Sequence, residues 1–538
     1  VRFGLSWVLV LCLSASVMAQ PALAPIDQQV LHLGNGAEPN SLDPHRAEGV
    51  SAGNIVRDLY EGLTGISPQG AVVPAAASHW TISDDACTYT FTLRENLRWS
   101  DGSPLLAQDF VAGLQRSVAP ATGNGYAQML SPIEHAEAVQ QGQLLAGALG
   151  VHAPDARTVV IHLRHPTPYL LGLLAHPSAF PLHQPSLAQW GKGFARPGRM
   201  VSNGAYVLDE WIVQSQIILR RNPHYWNNPQ TVLEQVIYHP SEDINAALNR
   251  YAANEFDVTY EIPLVQAKAL RAKYGAELHI APYLGSYYYG FNLSQPPFKG
   301  QRGLRQALAM AVDREVIVEK VMNGVAYPAY SYVPPGTAQY TAQQPHWAGW
   351  PREQKLREAR RLYAAAGYTK ARPLQVELRY NTHDDHKRIA IVIAAMWKQW
   401  LGVETRLVNE EFKVFLQNRK QHAVTQVFRS TWISDYNDAS SFLDLLQSGH
   451  GRNDSVYANP AYDALLAQAS RSLNTTERRR LLEQAERMVL DDLPVLPIYT
   501  YVSKHLVKPW VAGWQDNAYD YHYAKDLRVL MRDKVVRP

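Results

Sequence analysis

The chain holds 19 His, 2 Cys and many Ser, the residue types from which most catalytic sites are built, so their spacing is the first question. No histidine falls in an H-E-x-x-H string, and no Cys/His pattern has the spacing of a zinc site. Neither G-x-G-x-x-G nor a Walker-type sequence occurs, which leaves no glycine-rich loop to cradle a phosphate. Ser, His and Asp residues scattered along the chain can still converge, because a triad is defined by geometry and not by order. A hydrolase therefore stays as the alternative class. No motif calls for a metal or a cofactor.

Charge and composition narrow the partners. Lys+Arg number 51 and Asp+Glu 48, and the basic residues are spread along the chain, so no nucleic-acid surface is indicated. The 29 Tyr and 13 Trp are a mild excess. Such rings, rigid and with a polar tip, suit a buried ligand cleft as well as ordinary packing. With 538 residues, the chain exceeds the size of a single core, and two or three domains are expected.

The N-terminus reads as an export signal. Arg2 precedes an apolar stretch from Leu5 to Val17 that ends in Val17-Met18-Ala19. That stretch is shorter than the roughly 20 residues a membrane span needs. Cleavage is expected after Ala19, with Ala24 second, giving a soluble exported protein. Cys12 lies inside the apolar run behind the large Leu11, which argues against a lipoprotein signal. Cys87 is then the one remaining cysteine, beside a strand-like run from Thr88 to Leu93, and no internal disulfide can form.

Strand and helix signals interleave, which predicts an α/β architecture. Leu374, Val376, Leu378 and Tyr380 alternate with polar residues as in a half-buried strand. Asn474 with Glu477 marks a helix start, followed by Leu481, Leu482, Ala485, Met488 and Val489 at helical spacing. His386 to Trp400 reads as a second, well-buried helix. Turn-rich seams near residues 68–70, 181–185 and 334–336 are not long linkers. The domains should therefore be interwoven, a build suited to hinge closure.

Several strings occur in order: Glu38-Pro39-Asn40-Ser41-Leu42-Asp43-Pro44-His45, Arg57-Asp58-Leu59-Tyr60-Glu61-Gly62-Leu63, Trp99-Ser100-Asp101-Gly102, Asn203-Gly204-Ala205-Tyr206, Arg221-Asn222-Pro223-His224-Tyr225-Trp226, and Leu304-Arg305-Gln306-Ala307-Leu308. Together they resemble the peptide-binding class of bacterial extracellular solute-binding proteins, over essentially the whole mature chain. The resemblance implies a two-lobed type II binding-protein fold with a third domain, the ligand enclosed between lobes. It further implies domain I from residues 26–50, 184–284 and 503–538, domain II from 51–183, and domain III from 285–502. A monomer that delivers short peptides to an ABC-type membrane permease is the function implied; murein peptides or a nonpeptide solute are the alternatives.

The same resemblance supplies candidate ligand contacts. In Trp432-Ile433-Ser434-Asp435-Tyr436-Asn437, Asp435 matches the family's aspartate for the peptide ammonium, with Trp432 and Tyr436 screening it. By chemistry alone, an aspartate capping a turn is the commoner reading. Thr431, Ile433 and Val50 match positions that pair with the ligand main chain, and Glu48 stands close to a ligand side chain. Arg429, Arg419 and His386 match groups for the far carboxylate, for which a guanidinium fork is suited. Tyr126, Tyr283, Tyr288 and Phe412 match lining positions. Departures are as telling: Gly285 and Ile433 stand where family members carry a disulfide, Glu261 and Ile262 replace polar amides, and Met322 replaces a lysine.

Overall fold

The computed structural model describes residues 22–422 and 425–532, without the side chains of Phe412 and Lys413. The predicted export signal, with Cys12 and the expected cleavage after Ala19, lies outside the described residues.

Alternating burial along short strands builds three main sheets. The first joins Val30–Gly34, Gln235–His239, Gln216–Arg221 and Tyr206–Ile212 in that order, with the first pair parallel. The second is antiparallel, in the order Ala77–Ile82, Thr88–Leu93, Thr158–His162 and Val151–Asp155. In Thr88–Leu93 the residues Tyr89, Phe91 and Leu93 point into the core while the threonines between them are half-buried, the period-2 pattern of a one-sided strand. Helix Ala107–Val118 packs on this sheet. One continuous core underlies both sheets.

The third sheet has six strands in the order Tyr327–Pro328, Val495–Leu506, Leu278–Phe291, Val427–Ile433, Gln375–Asn381 and Glu404–Glu410. It has its own core, shared with helices Arg302–Ala311 and Asp384–Leu401. Gln375–Asn381 is the strand expected from its alternation, with Val376, Leu378 and Tyr380 buried. The helix over 384–401 is less enclosed than its apolar middle suggests. Ile389, Ile393 and Trp397 are buried, but Ile391 is 46% exposed, so one face meets solvent. The predicted start of helix Thr475–Asp492 is present: Asn474 Oδ1 accepts from the Glu477 backbone N–H at 3.0 Å.

Two strands carry the chain between bodies. Leu278–Phe291, 14 residues long, pairs antiparallel with Val495–Leu506, and their ladder breaks register between Pro282 and Ser286. Beyond the break, the pair reaches the first sheet, where Val258 bridges both Leu33 and Val507. The result is a two-lobed α/β fold with an additional domain. Crossing segments of this kind allow the lobes to hinge. Tyr169 and Tyr436, from opposite sides of the cleft, stack with centroids 4.4 Å apart, so the lobes are brought together.

One buried carboxylate pins a long connection. Glu486 is fully buried and accepts from the backbone of Tyr332, Val333 and Gln343 and from the Tyr340 hydroxyl, at 2.7–2.8 Å. Burial nevertheless raises its pKa to about 7. Glu486→Ala leaves the buried amides of Tyr332 and Val333 and the half-buried amide of Gln343 unsatisfied, and a loss of about 3 kcal/mol is expected. Urea unfolding of the ligand-free protein measures it.

Candidate functional site

The site begins with a strand that runs out of partners. Val427–Ile433 lies between Leu278–Phe291 and Gln375–Asn381, but the second pairing covers only Val427 and Phe428. From Ser430 to Ile433, one edge is therefore unpaired among the described residues. The direction of its backbone groups follows from the ladder. Ser434 N–H donates to Leu284 O at 2.8 Å at one end of the ladder and Asn292 N–H to Gln426 O at 2.9 Å at the other, so the even-numbered residues form its hydrogen-bonded pairs. In an antiparallel ladder such pairs alternate, so Trp432 and Ser430 also turn their N–H and C=O toward Leu278–Phe291. Thr431 and Ile433 then point theirs at the open edge, where an extended chain can add as a further strand. Ile433 lies directly across from Gly285, and its side chain fills the room that a Cβ on that glycine would need. This is the pair of positions at which the resemblance implies a disulfide in other family members, and no such bridge can form between Gly285 and Ile433.

Just past this edge, Asp435 borders a cavity of about 360 Å3. One wall is built from Gly125, Tyr126 and Tyr169, the other from Trp432, Tyr436 and residues up to Arg471. The Asp435 backbone is held by Ser441 Oγ at 3.4 Å, and Trp432 Nε1 donates to the same oxygen at 3.3 Å. Among the described residues, no hydrogen bond or ion pair reaches the Asp435 carboxylate. Burial raises its pKa to about 7, which the nearby Arg452 only partly offsets. A desolvated carboxylate without a partner is a receptor for a cationic donor. Tyr126 stands beside it: burial first, then the Asp435 charge, raises the phenol's pKa. Glu48 is exposed and lies over Gly125 at the same end.

A second cavity, about 490 Å3, lies toward the other end of the strand. Arg429 lines it, 6% exposed, donating to Asn381 Oδ1 at 3.3 Å and Tyr501 OH at 3.1 Å. Its guanidinium lies 4.9 Å from the Tyr287 ring centre, and no carboxylate pairs with it among the described residues. Met322, Ile262 and Glu261 also line this cavity, and Glu261 is answered by Lys504 at 3.3 Å. His386 is there too, but as a neutral ring. Burial and then the Arg429 charge push its pKa far down, so it offers a hydrogen bond to a carboxylate and no positive charge.

The remaining candidates are dispersed. Arg419 lines neither cavity: it pairs with Asp454 at 2.7 Å and donates to Ser430 Oγ at 3.0 Å. Tyr288 is buried in a core cluster, edge-on to Tyr332, and Tyr283 packs toward Tyr260 and Tyr521. Val50 opens helix Val50–Leu59 and borders a separate small cavity. Phe412 begins helix Phe412–Gln421, and its side chain lies outside the described residues. Sequence reasoning did not reach Arg452, His450, Arg471 or Tyr169, all lining the first cavity, since nothing local marks them. Gly49-Val50-Ser51-Ala52-Gly53 does match the G-x-S-x-G spacing of a nucleophile elbow. However, Ser51 sits in the first turn of a helix and bonds the Tyr260 phenol, and among the described residues no histidine is bonded to it.

The model of the bacterial extracellular solute-binding proteins, family 5, matches residues 71–454. The periplasmic oligopeptide-binding protein of Escherichia coli (strain K12) is 41% identical over 515 residues, 94% of each chain. The chain belongs to family 5 of the bacterial extracellular solute-binding proteins. It is a binder and not an enzyme. The solved murein tripeptide binding protein of Escherichia coli superposes with a TM-score of 0.87 at 37% identity, over 95% of this chain and 100% of the other. Against that protein's unliganded open form, at 37% identity over 96% and 100%, the TM-score is 0.79. The family-5 chain thus stands further from the open arrangement, in keeping with the Tyr169–Tyr436 stack.

Proposed function

We propose that this periplasmic protein captures short extended peptides between its lobes and presents them, as a monomer in its closed form, to the membrane permease of an ABC importer. One observation carries this reading: among the described residues, an unpaired strand edge is bounded by a carboxylate without a partner, Asp435, and by a guanidinium, Arg429, that is bonded only to neutral groups. Asp435 takes the ammonium, Thr431 and Ile433 take the backbone, and Arg429 takes the far carboxylate. From 429 to 435 an extended backbone spans about 20 Å, so a ligand of three to five residues fits once the two side chains reach inward. Domain I comprises 26–50, 184–284 and 503–538, domain II 51–183 and domain III 285–502. Closure is population shift: contacts made to both lobes at once favour the closed state.

Calorimetry with a tetrapeptide, its N-acetylated form and its C-amidated form tests the reading. The free peptide should bind and the acetylated one should not. Equal binding of both would remove the ammonium anchor and leave a nonpeptide solute as the better reading. Direct competition between an ordinary and a murein tripeptide then assigns the peptide class, which both relatives' names leave open for this chain. A second outcome concerns the far end. In Arg429→Met, affinity for the free-carboxylate peptide should fall about 10- to 100-fold, the worth of a hydrogen bond to a charged group. Affinity for the C-amidated peptide should barely change.

A further inference from the structure

Apart from the peptide contacts, one cluster of side chains has the composition of a metal centre. His505 lies near the end of the crossing strand Val495–Leu506, and Asp520 and His522 follow in the C-terminal segment. One ligating atom from each lies within 4.8 Å of the others. His505 Nε2 is 2.9 and 3.0 Å from the two Asp520 oxygens, and His522 Nε2 is 2.9 Å from Oδ1.

The surroundings fix all three groups. His505 Nδ1 lies 3.0 Å from Thr259 O, which requires an N–H on that nitrogen and turns Nε2 toward Asp520. That backbone contact on the distal nitrogen is the outer-shell arrangement that orients ligating histidines. The His522 ring is stacked flat on Trp514, with centroids 3.5 Å apart, and His505 meets the same indole edge-on. Asp520 is held at a positive φ of 54°, in a turn tied by the Asn517 side chain to the Tyr519 and Tyr521 amides. His505 and Asp520 also border a cavity of about 50 Å3, enough for one water at about 30 Å3.

We propose that His505 Nε2, His522 Nε2 and the Asp520 carboxylate bind one divalent transition-metal ion, with water in the fourth position. Two imidazoles and a carboxylate with an open position are a set that Zn2+ accepts, and bonds of about 2.0–2.1 Å place tetrahedral ligands about 3.3 Å apart. The two His–Asp contacts, at 2.9–3.0 Å, need to widen by only a few tenths of an ångström, and the two histidine nitrogens lie within 4.8 Å of each other.

The test uses the mature protein after dialysis against a chelator, titrated with ZnCl2 by calorimetry. One equivalent should bind, with the peptide affinity unchanged. His522→Gln should weaken Zn2+ binding at least about tenfold while leaving the circular dichroism and the tetrapeptide affinity intact. Asp520→Asn should do the same if His522→Gln fails to fold. Absence of a stoichiometric site, or Zn2+ binding unchanged in either folded variant, overturns the proposal.

Discussion

Asp435→Asn is expected to weaken binding of a free-amine tetrapeptide by about 2–5 kcal/mol, that is ~30- to several-thousand-fold, and to leave the ligand-free protein more stable than before. The two effects have one cause. The carboxylate is placed where no protein group answers it, so it costs free energy until an ammonium arrives. Its folded pKa of about 7 lies above the ordinary value of 3.8. The folded state therefore holds an extra proton between those pH values, stability falls as pH rises from about 4 to about 7, and the full penalty persists above. An amide removes it. At pH 8 the gain has an upper bound of about 4 kcal/mol, three pH units at ~1.4 each, reduced by whatever solvent reaches the group through the cavity. At pH 4 no gain is expected. Thermal melting at the two pH values, with and without peptide, reads both effects. A variant that binds normally, or is destabilised at pH 8, contradicts the assignment.

Affinity carries the same signature. Below about pH 7 the peptide must displace a proton from Asp435, so the dissociation constant should rise about tenfold per pH unit. Above about pH 8 the α-ammonium itself deprotonates, and affinity should fall again. Arg452 and Tyr126 face the same carboxylate, while His450 and Asp444 line the cavity. Asp444 is likewise raised to about 7, by burial and then by Asp438. Asp444→Asn therefore serves as the control. It should leave the pH dependence of free-amine binding in place.

What the sequence revealed depended on whether a property is local. The cap at Asn474 and the alternation of Val376, Leu378 and Tyr380 are short-range patterns, and both appear where expected. Asp435 stands out only through the family resemblance of its string, since by chemistry alone a turn cap is the commoner reading; that its buried carboxylate has no partner among the described residues is visible only in the structure. Arg419 and Arg429 show the limit. They are the same residue type ten positions apart, yet Asp454 takes the first while only neutral groups touch the second. No spacing rule announces a partner 35 residues away. Tyr126 and Tyr288 differ in the same way: the strand that carries Tyr288 turns it into a core, while Tyr126 lies in a loop at the cavity. The charge state of His386 is less visible still, since burial and Arg429 set it jointly.

The direction of the Thr431 amide gives the sharpest test of the strand edge. Proline removes one N–H and is tolerated in a strand where that N–H faces away from the ladder. At Thr431 the lost donor points at the open edge, so Thr431→Pro should fold and lose backbone pairing to the peptide. A loss of at least tenfold is expected from one hydrogen bond of about 0.5–1.5 kcal/mol together with the ring's obstruction of the edge. At Ser430, one residue earlier, the N–H belongs to the ladder with Tyr288. Ser430→Pro removes a bond inside the six-stranded sheet, and a destabilisation of about 3 kcal/mol or more is expected, by analogy with proline in a helix interior. The pair thus separates binding from folding at adjacent positions on one strand. If Ser430→Pro were the folded, nonbinding variant and Thr431→Pro the unstable one, the alternation would be in the opposite phase. Trp432 would then face the ligand with its backbone, and the peptide could not lie along Thr431 and Ile433.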